Sequence, residues 1–135
     1  MTLAPSMLLA GSVEVVEFKV AHGCGALPTT AFRVELPAGV EAVEPQPKAG
    51  WKLAVEPATG ATPRAATWSG GTLPAHEAGV FSIRMKVPQA PGMLLFPALQ
   101  TCEDITAKTG SSAPRTTHHQ GMLVVVPAGS AKQAP

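Results

Sequence analysis

Phe81-Ser82-Ile83-Arg84-Met85-Lys86-Val87 decides the fold class. Its odd positions are large and apolar, and its even positions are polar or charged. A β-strand gathers such a set on one face, because successive side chains point to opposite sides; a helix would scatter it around the cylinder. Phe32-Arg33-Val34-Glu35-Leu36 has the same rhythm, and so has Trp51-Lys52-Leu53-Ala54-Val55-Glu56. Each of these stretches reads as a half-buried strand.

Working outward, residues 13–20 are strand-like with a slipped phase. Val13 and Val15 share one face, whereas Val16, Phe18 and Val20 share the other, which predicts a bulge near Val15-Val16. Residues 93–99 and 122–126 are continuous apolar runs and read as strands buried on both faces. Pro97 marks the first of them as an edge or an interrupted strand. Breaks are expected at Pro37-Ala38-Gly39, Ala49-Gly50, Ser69-Gly70-Gly71, Pro91-Gly92 and Ala128-Gly129. About eight short strands at this spacing predict an antiparallel sandwich or barrel. Residues 106–120, polar and rich in Ser and Thr, predict a long loop ending in His118-His119. Residues 129–135 read as a disordered tail. The chain divides into one domain, 1–127, and a C-terminal tail, 128–135.

Composition narrows the function classes. Apolar residues make up 45 % of the 135 residues and charged ones 14 %, with 14 prolines and 13 glycines. Those prolines and glycines leave little room for long helices. The formal net charge is +1, with no basic stripe, which argues against a nucleic-acid partner. No apolar run reaches the roughly 18–20 residues of a membrane-spanning helix.

Catalytic signatures are missing: no GxSxG, GxxxxGK[ST], HExxH or GxGxxG is present. The nine carboxylates show no spacing that suggests paired acid–base work. A blue-copper site needs a cysteine thiolate close to histidine, yet no histidine follows Cys102 before His118. A non-catalytic binding protein is therefore expected.

Cys24 and Cys102 are too far apart in sequence for a CxxC motif, and read either as two buried thiols or as one disulfide. His22, in Ala21-His22-Gly23-Cys24, is a turn residue or a ligand at one rim of the sandwich. His76 reads as an exposed loop residue. His118-His119 is the most metal-like local feature, since imidazole suits copper and zinc. In a loop the pair can chelate one ion; in a strand the two rings point to opposite faces. The methionines are dispersed, and Met7, Met85 and Met93 read as core.

Several blocks together resemble a known family. They are Ala21-His22-Gly23-Cys24, Pro28-Thr29-Thr30, Pro45-Gln46-Pro47-Lys48-Ala49-Gly50-Trp51, Trp68-Ser69-Gly70-Gly71, and Leu94-Leu95-Phe96-Pro97 followed by Gln100-Thr101-Cys102-Glu103. In this order and spacing they resemble the YcnI-like copper-binding domains of bacteria, in the form found in Gram-negative species.

The resemblance implies an all-β fold, an immunoglobulin-like or cupredoxin-like antiparallel β-sandwich of about eight strands. It implies an exported, periplasmic protein of copper homeostasis or delivery whose partners are the copper ion and other periplasmic copper-handling proteins. It also implies a Cys24–Cys102 disulfide, with Trp51 and Trp68 as framework. The family holds Cu(II), rather than Cu(I), through an N-terminal His, an acidic residue and a nearby Trp. Here Met1 directly precedes Thr2-Leu3, Gly25 and Ala26 stand where the acid is expected, and Ile105, Thr106 and Ala107 where the Trp is expected. His22, His118 and His119 are then the candidate metal ligands. The alternative is a metal-free structural or protein-interaction module that keeps the sandwich.

Overall fold

The alternating segments do form strands. The computed structural model describes residues 1–57, 62–105 and 114–128. Its strands are β1 (Thr2–Ala4), β2 (Met7–Leu9), β3 (Val13–Val20), β4 (Thr29–Glu35), β5 (Glu41–Pro45), β6 (Lys52–Glu56), β7 (Ala65–Leu73), β8 (Gly79–Lys86), β9 (Gly92–Cys102) and β10 (Arg115–Val126). They make a four-stranded sheet, β1-β3-β8-β5, and a six-stranded sheet, β2-β10-β9-β4-β7-β6. The all-β sandwich expectation holds, with the two short N-terminal strands added. One pair departs from antiparallel order: β2 runs parallel to β10.

Inward residues of both sheets fill the space between them. Phe81, Ile83 and Met85 of β8 are buried, as are Phe32 and Val34 of β4 and Trp68 of β7. Phe81 stacks on Phe32 at 4.7 Å between ring centroids, and Trp68 and Trp51 each lie 5.3 Å from Phe81. Phe18 meets Phe96 edge-on at 5.6 Å. Such pairs add stabilisation of roughly 0.5–1.5 kcal/mol beyond area burial. The Trp68 indole N–H donates to the Gln46 carbonyl at 2.9 Å, so the buried ring leaves no donor unpaired. Both tryptophans therefore serve the framework, as expected.

Four local expectations are corrected. No bulge interrupts β3, whose pairing with β8 runs unbroken from Val13↔Lys86 to Val20↔Gly79. Val13 and Val15 simply face solvent. Ser69-Gly70-Gly71 is no turn but an irregular stretch inside β7, where the register against β4 shifts. A Cβ on Gly71 would stand 2.3 Å from the Trp51 ring, so the glycine is what lets that indole close over the sheet. Residues 93–99 and 122–126 are buried on one face only. Finally, Pro97 does not make β9 an edge, because β9 lies between β10 and β4. The last pair with β4 is Val34↔Ala98, so Pro97 falls just past the end of that ladder.

Part of the expected loop is also strand. Arg115 pairs with Cys102, and the antiparallel ladder continues to Val125↔Gly92. His118-His119 therefore sits in β10. Residues 106–113 of that loop, and residues 129–135 of the tail, lie outside the described residues.

Candidate functional site

The Cys24–Cys102 disulfide ties the turn after β3 to the end of β9, with 5.9 Å between the Cα atoms. Gly23, beside it, is buried, and its N–H donates to the Ala75 carbonyl at 2.8 Å. A Cβ at Gly23 would stand 2.1 Å from the Leu27 carbonyl oxygen. The His-Gly-Cys block thus needs glycine because the chain doubles back against itself, with Cys24 and Leu27 exchanging backbone hydrogen bonds.

A polar relay extends from this clasp, centred on Gln100. Period two in β9 points Leu94, Phe96, Ala98, Gln100 and Cys102 inward, and Gln100 is the one amide among them, 3 % exposed. Its Nε2 donates to the His22 carbonyl at 2.9 Å and to the Thr29 hydroxyl at 2.7 Å. A carbonyl only accepts, so the orientation of the amide is fixed and Oε1 faces His119. The His119 Nε2–H donates to that oxygen at 2.9 Å. The Thr29 hydroxyl lies 3.9 Å from Cys102 Sγ, and the Thr117 hydroxyl lies 3.6 Å from Cys24 Sγ. Disulfide sulfurs carry no proton, so both hydroxyls are the donors. Among the described residues no buried side-chain N or O lacks a partner.

The relay decides the tautomer of His119, and a neighbouring carbonyl decides that of His22. With Nε2 protonated, neutral His119 keeps its lone pair on Nδ1. The His22 Nδ1–H donates to the Gly23 carbonyl at 2.8 Å, which leaves the lone pair on Nε2. Burial holds the His119 imidazole below the usual histidine range; the positive amino group of Met1, then His22 and His118, push in the same direction. His119 is thus kept neutral, the form that binds cations.

The structure brings His22 and His119 to one relay but separates His118 from it. In β10, His119 shares the inward face with Gly121, Leu123 and Val125, whereas His118 faces out with Met122 and Val124. The local His118-His119 chelate expected of a loop does not form, because strand neighbours leave opposite faces. Among the described residues no group of three His, Cys, Asp or Glu side chains already stands in coordinating positions. His76 is exposed and lines a separate cleft with Pro28, Thr72 and Ile105. Gln100 is not among the sequence-derived candidates, because the unbroken apolar run before it carries no phase; the only sequence signal at this position is its place in the Gln100-Thr101-Cys102-Glu103 block.

The match to known proteins follows this framework. Residues 1–122 fit the family described as "Domain of unknown function (DUF1775)". The chain belongs to the DUF1775 family. The YcnI-like domains form this same group, so the resemblance carried by the His-Gly-Cys, Trp-Ser-Gly-Gly and Gln-Thr-Cys-Glu blocks is sound at that level. An uncharacterized protein from Nocardia farcinica, described as having an immunoglobulin-like fold, superposes on this DUF1775 domain with a TM-score of 0.67. The two are 24 % identical over 92 % of this chain and 96 % of that one. The sandwich is therefore immunoglobulin-like. An MSP-domain-like protein of Caenorhabditis elegans (9 % identity, 93 % and 98 % coverage) and a PapD-like domain of human CEP192 (14 %, 93 % and 84 %) give TM-scores of only 0.38 and 0.33. No curated protein sequence matches. No helix among the described residues is long and apolar enough to cross a membrane.

Proposed function

We propose that this DUF1775 domain is a non-catalytic copper-binding domain of an exported, periplasmic protein in copper homeostasis or delivery, and that it takes Cu(II) at the histidine rim. The carrying observation is the Gln100 relay. It ties the His22 backbone and the His119 ring to one rim beside the disulfide clasp and leaves a lone pair on neutral His119, while the Gly23 carbonyl leaves one on His22. Imidazole nitrogen is a donor that Cu(II) favours, and outer hydrogen bonds that fix a ring's tautomer raise its quality as a ligand. His22 and His119 would hold the ion. His118, on the outer face, contributes charge near His119 rather than a shared chelate. A disulfide suits an oxidising compartment.

The test is a Cu(II) titration of the metal-free chain read by electron paramagnetic resonance. One saturable ion per chain with nitrogen hyperfine structure is expected. His119→Ala and His22→Ala should each abolish that signal, and His118→Ala should leave it. Unchanged spectra in His119→Ala, or no saturable binding, would overturn the assignment. The second reading, a metal-free protein-interaction module, draws on the exposed apolar residues Met93, Leu95, Met122 and Val124, and is what a silent titration would leave.

A further inference from the structure

Among the described residues the two sheets have four edges, β1 and β5 on one and β2 and β6 on the other. An edge presents unpaired backbone N–H and C=O groups, and folds guard it with short strands, prolines or bulges. Three of these four edges are guarded in that way. β1 and β2 are three residues each and flank Pro5. β5 shifts register against β8 between Glu41 and Glu44, holds Ala42 at a φ of 49°, and ends on Pro45. β6 has none of these features. Its residues Lys52-Leu53-Ala54-Val55-Glu56 pair with β7 without a break, from Lys52↔Ser69 to Glu56↔Ala65. Among the described residues no backbone group of residues 52–55 bonds beyond that ladder.

We infer that β6 pairs with the same strand of a second copy of this chain, antiparallel about a two-fold axis at Ala54, joining two six-stranded sheets edge to edge. The strand is complementary to itself in that register. Ala54 meets its own counterpart, Leu53 lies opposite Val55, and Lys52 lies opposite Glu56, twice over by symmetry. Lys52, Ala54 and Glu56 are exposed and share the outer face, because Leu53 and Val55 pack against the core from the other. Arg33 already orients Glu56 by holding its Oε1 at 3.1 Å, and it pairs with Glu35 as well. One cation and two carboxylates leave that cluster net negative, whereas Lys52 has no ion-pair partner among the described residues. A strand without this charge order would set like charges opposite or leave them unmatched, so the pattern guards β6 against other chains and admits its own. Leu53 and Val55, only partly buried, gain cover from the pairing. Pro57, which has no N–H, ends the ladder, and a contact of five residue pairs gives a weak, reversible dimer rather than an obligate one. β6 and β10 lie toward opposite ends of their sheet, so the contact shares no residue with the histidine rim and needs no metal.

The experiment is sedimentation velocity on the full metal-free chain between about 10 μM and about 1 mM. The average sedimentation coefficient should rise with concentration from that of a monomer toward that of a dimer. Ala54→Lys sets two like charges on the axis and should weaken association by about tenfold or more. Lys52→Glu and Glu56→Lys each put like charges opposite one another, and each variant alone should stay monomeric. The first is acidic at both ends of β6 and the second basic at both, so an equal mixture is complementary again and should sediment as a dimer. All three positions are exposed, and circular dichroism checks that the variants fold. A chain that stays monomeric over the whole range, a dimer that survives Ala54→Lys, or folded charge variants that fail to associate on mixing would each overturn the inference.

Discussion

The two ends of the β9–β10 ladder share one backbone geometry and carry opposite chemistry. Toward Gly92 and Val126, the inward residues are Leu94, Phe96, Leu123 and Val125, and the outward ones, Met93, Leu95, Met122 and Val124, are apolar too. Toward Cys102 and Arg115, the inward set becomes Gln100, Thr117 and His119 beside the disulfide. The ladder sets where each side chain points, and residue type sets how burial is satisfied. At the apolar end contact suffices. At the rim each polar atom persists only because it has a partner, since burying one without a hydrogen bond is costly. The difference teaches that chemistry enters this sandwich along a single strand pair, by a switch of residue type within an unbroken register.

The largest test of that contrast removes the clasp. Replacing both cysteines by alanine should lower stability by about 4 kcal/mol in urea denaturation, the scale expected for so long a closed loop. Amide exchange should accelerate at residues 115–120 while residues 123–125 keep their protection; a uniform change would show that the ends are not distinct. Gln100→Leu, which keeps the volume but strands the Thr29, His22 and His119 partners, should cost about 1–3 kcal/mol in the same assay. An unchanged midpoint would mean that the relay adds nothing to the fold.

Acid should act at the rim through His119. His119 has a lowered folded-state pKa, so on acidification the unfolded chain takes up its proton first. The contribution is complete above the ordinary histidine value of about 6.5 and is lost as pH falls from there through the lower folded value. Urea midpoints of the metal-free chain should therefore drop between about pH 8 and pH 5, and His119→Gln should flatten that drop. The smallest effect belongs to the apolar end. Met93→Leu with Met122→Leu should shift the midpoint by no more than about 0.5 kcal/mol, because both side chains are exposed and volume is conserved. A larger loss would mean that these side chains already pack as part of the structure.

Legibility followed the phase of the pattern. Phe81 to Val87 could be read because polar residues interrupt the apolar ones and so reveal the period. Residues 93–99 and 122–126 could not, because an unbroken apolar run has no phase to show which side is buried. Met93 accordingly reads as core on sequence alone and stands exposed in the fold, and Met7, which reads as core beside Leu8 and Leu9, lies on the outer face. The smooth passage of β3 past Val15-Val16 went unread for a related reason: an exposed valine and a buried one look alike until a neighbouring strand defines the face. His118-His119 lies in a stretch whose local composition favours a loop. Its extended conformation comes from pairing with residues 98–99 in β9, a non-local contact. The Cys24–Cys102 pairing was legible through the family blocks, whereas Gln100 gained its meaning only from the groups around its amide.

What the sequence by itself determined is the local rule: period two, the frequent breaks, and a set of blocks specific enough to identify the family. Those are properties of neighbouring residues, and steric alternation along a strand translates them directly into structure. Only the tertiary structure decided that β2 runs parallel beside β10, that Gln100 joins His22 to His119, and that His118 turns away from them. Each of these depends on which strands become neighbours and in what register, and register joins residues that the chain itself keeps far apart.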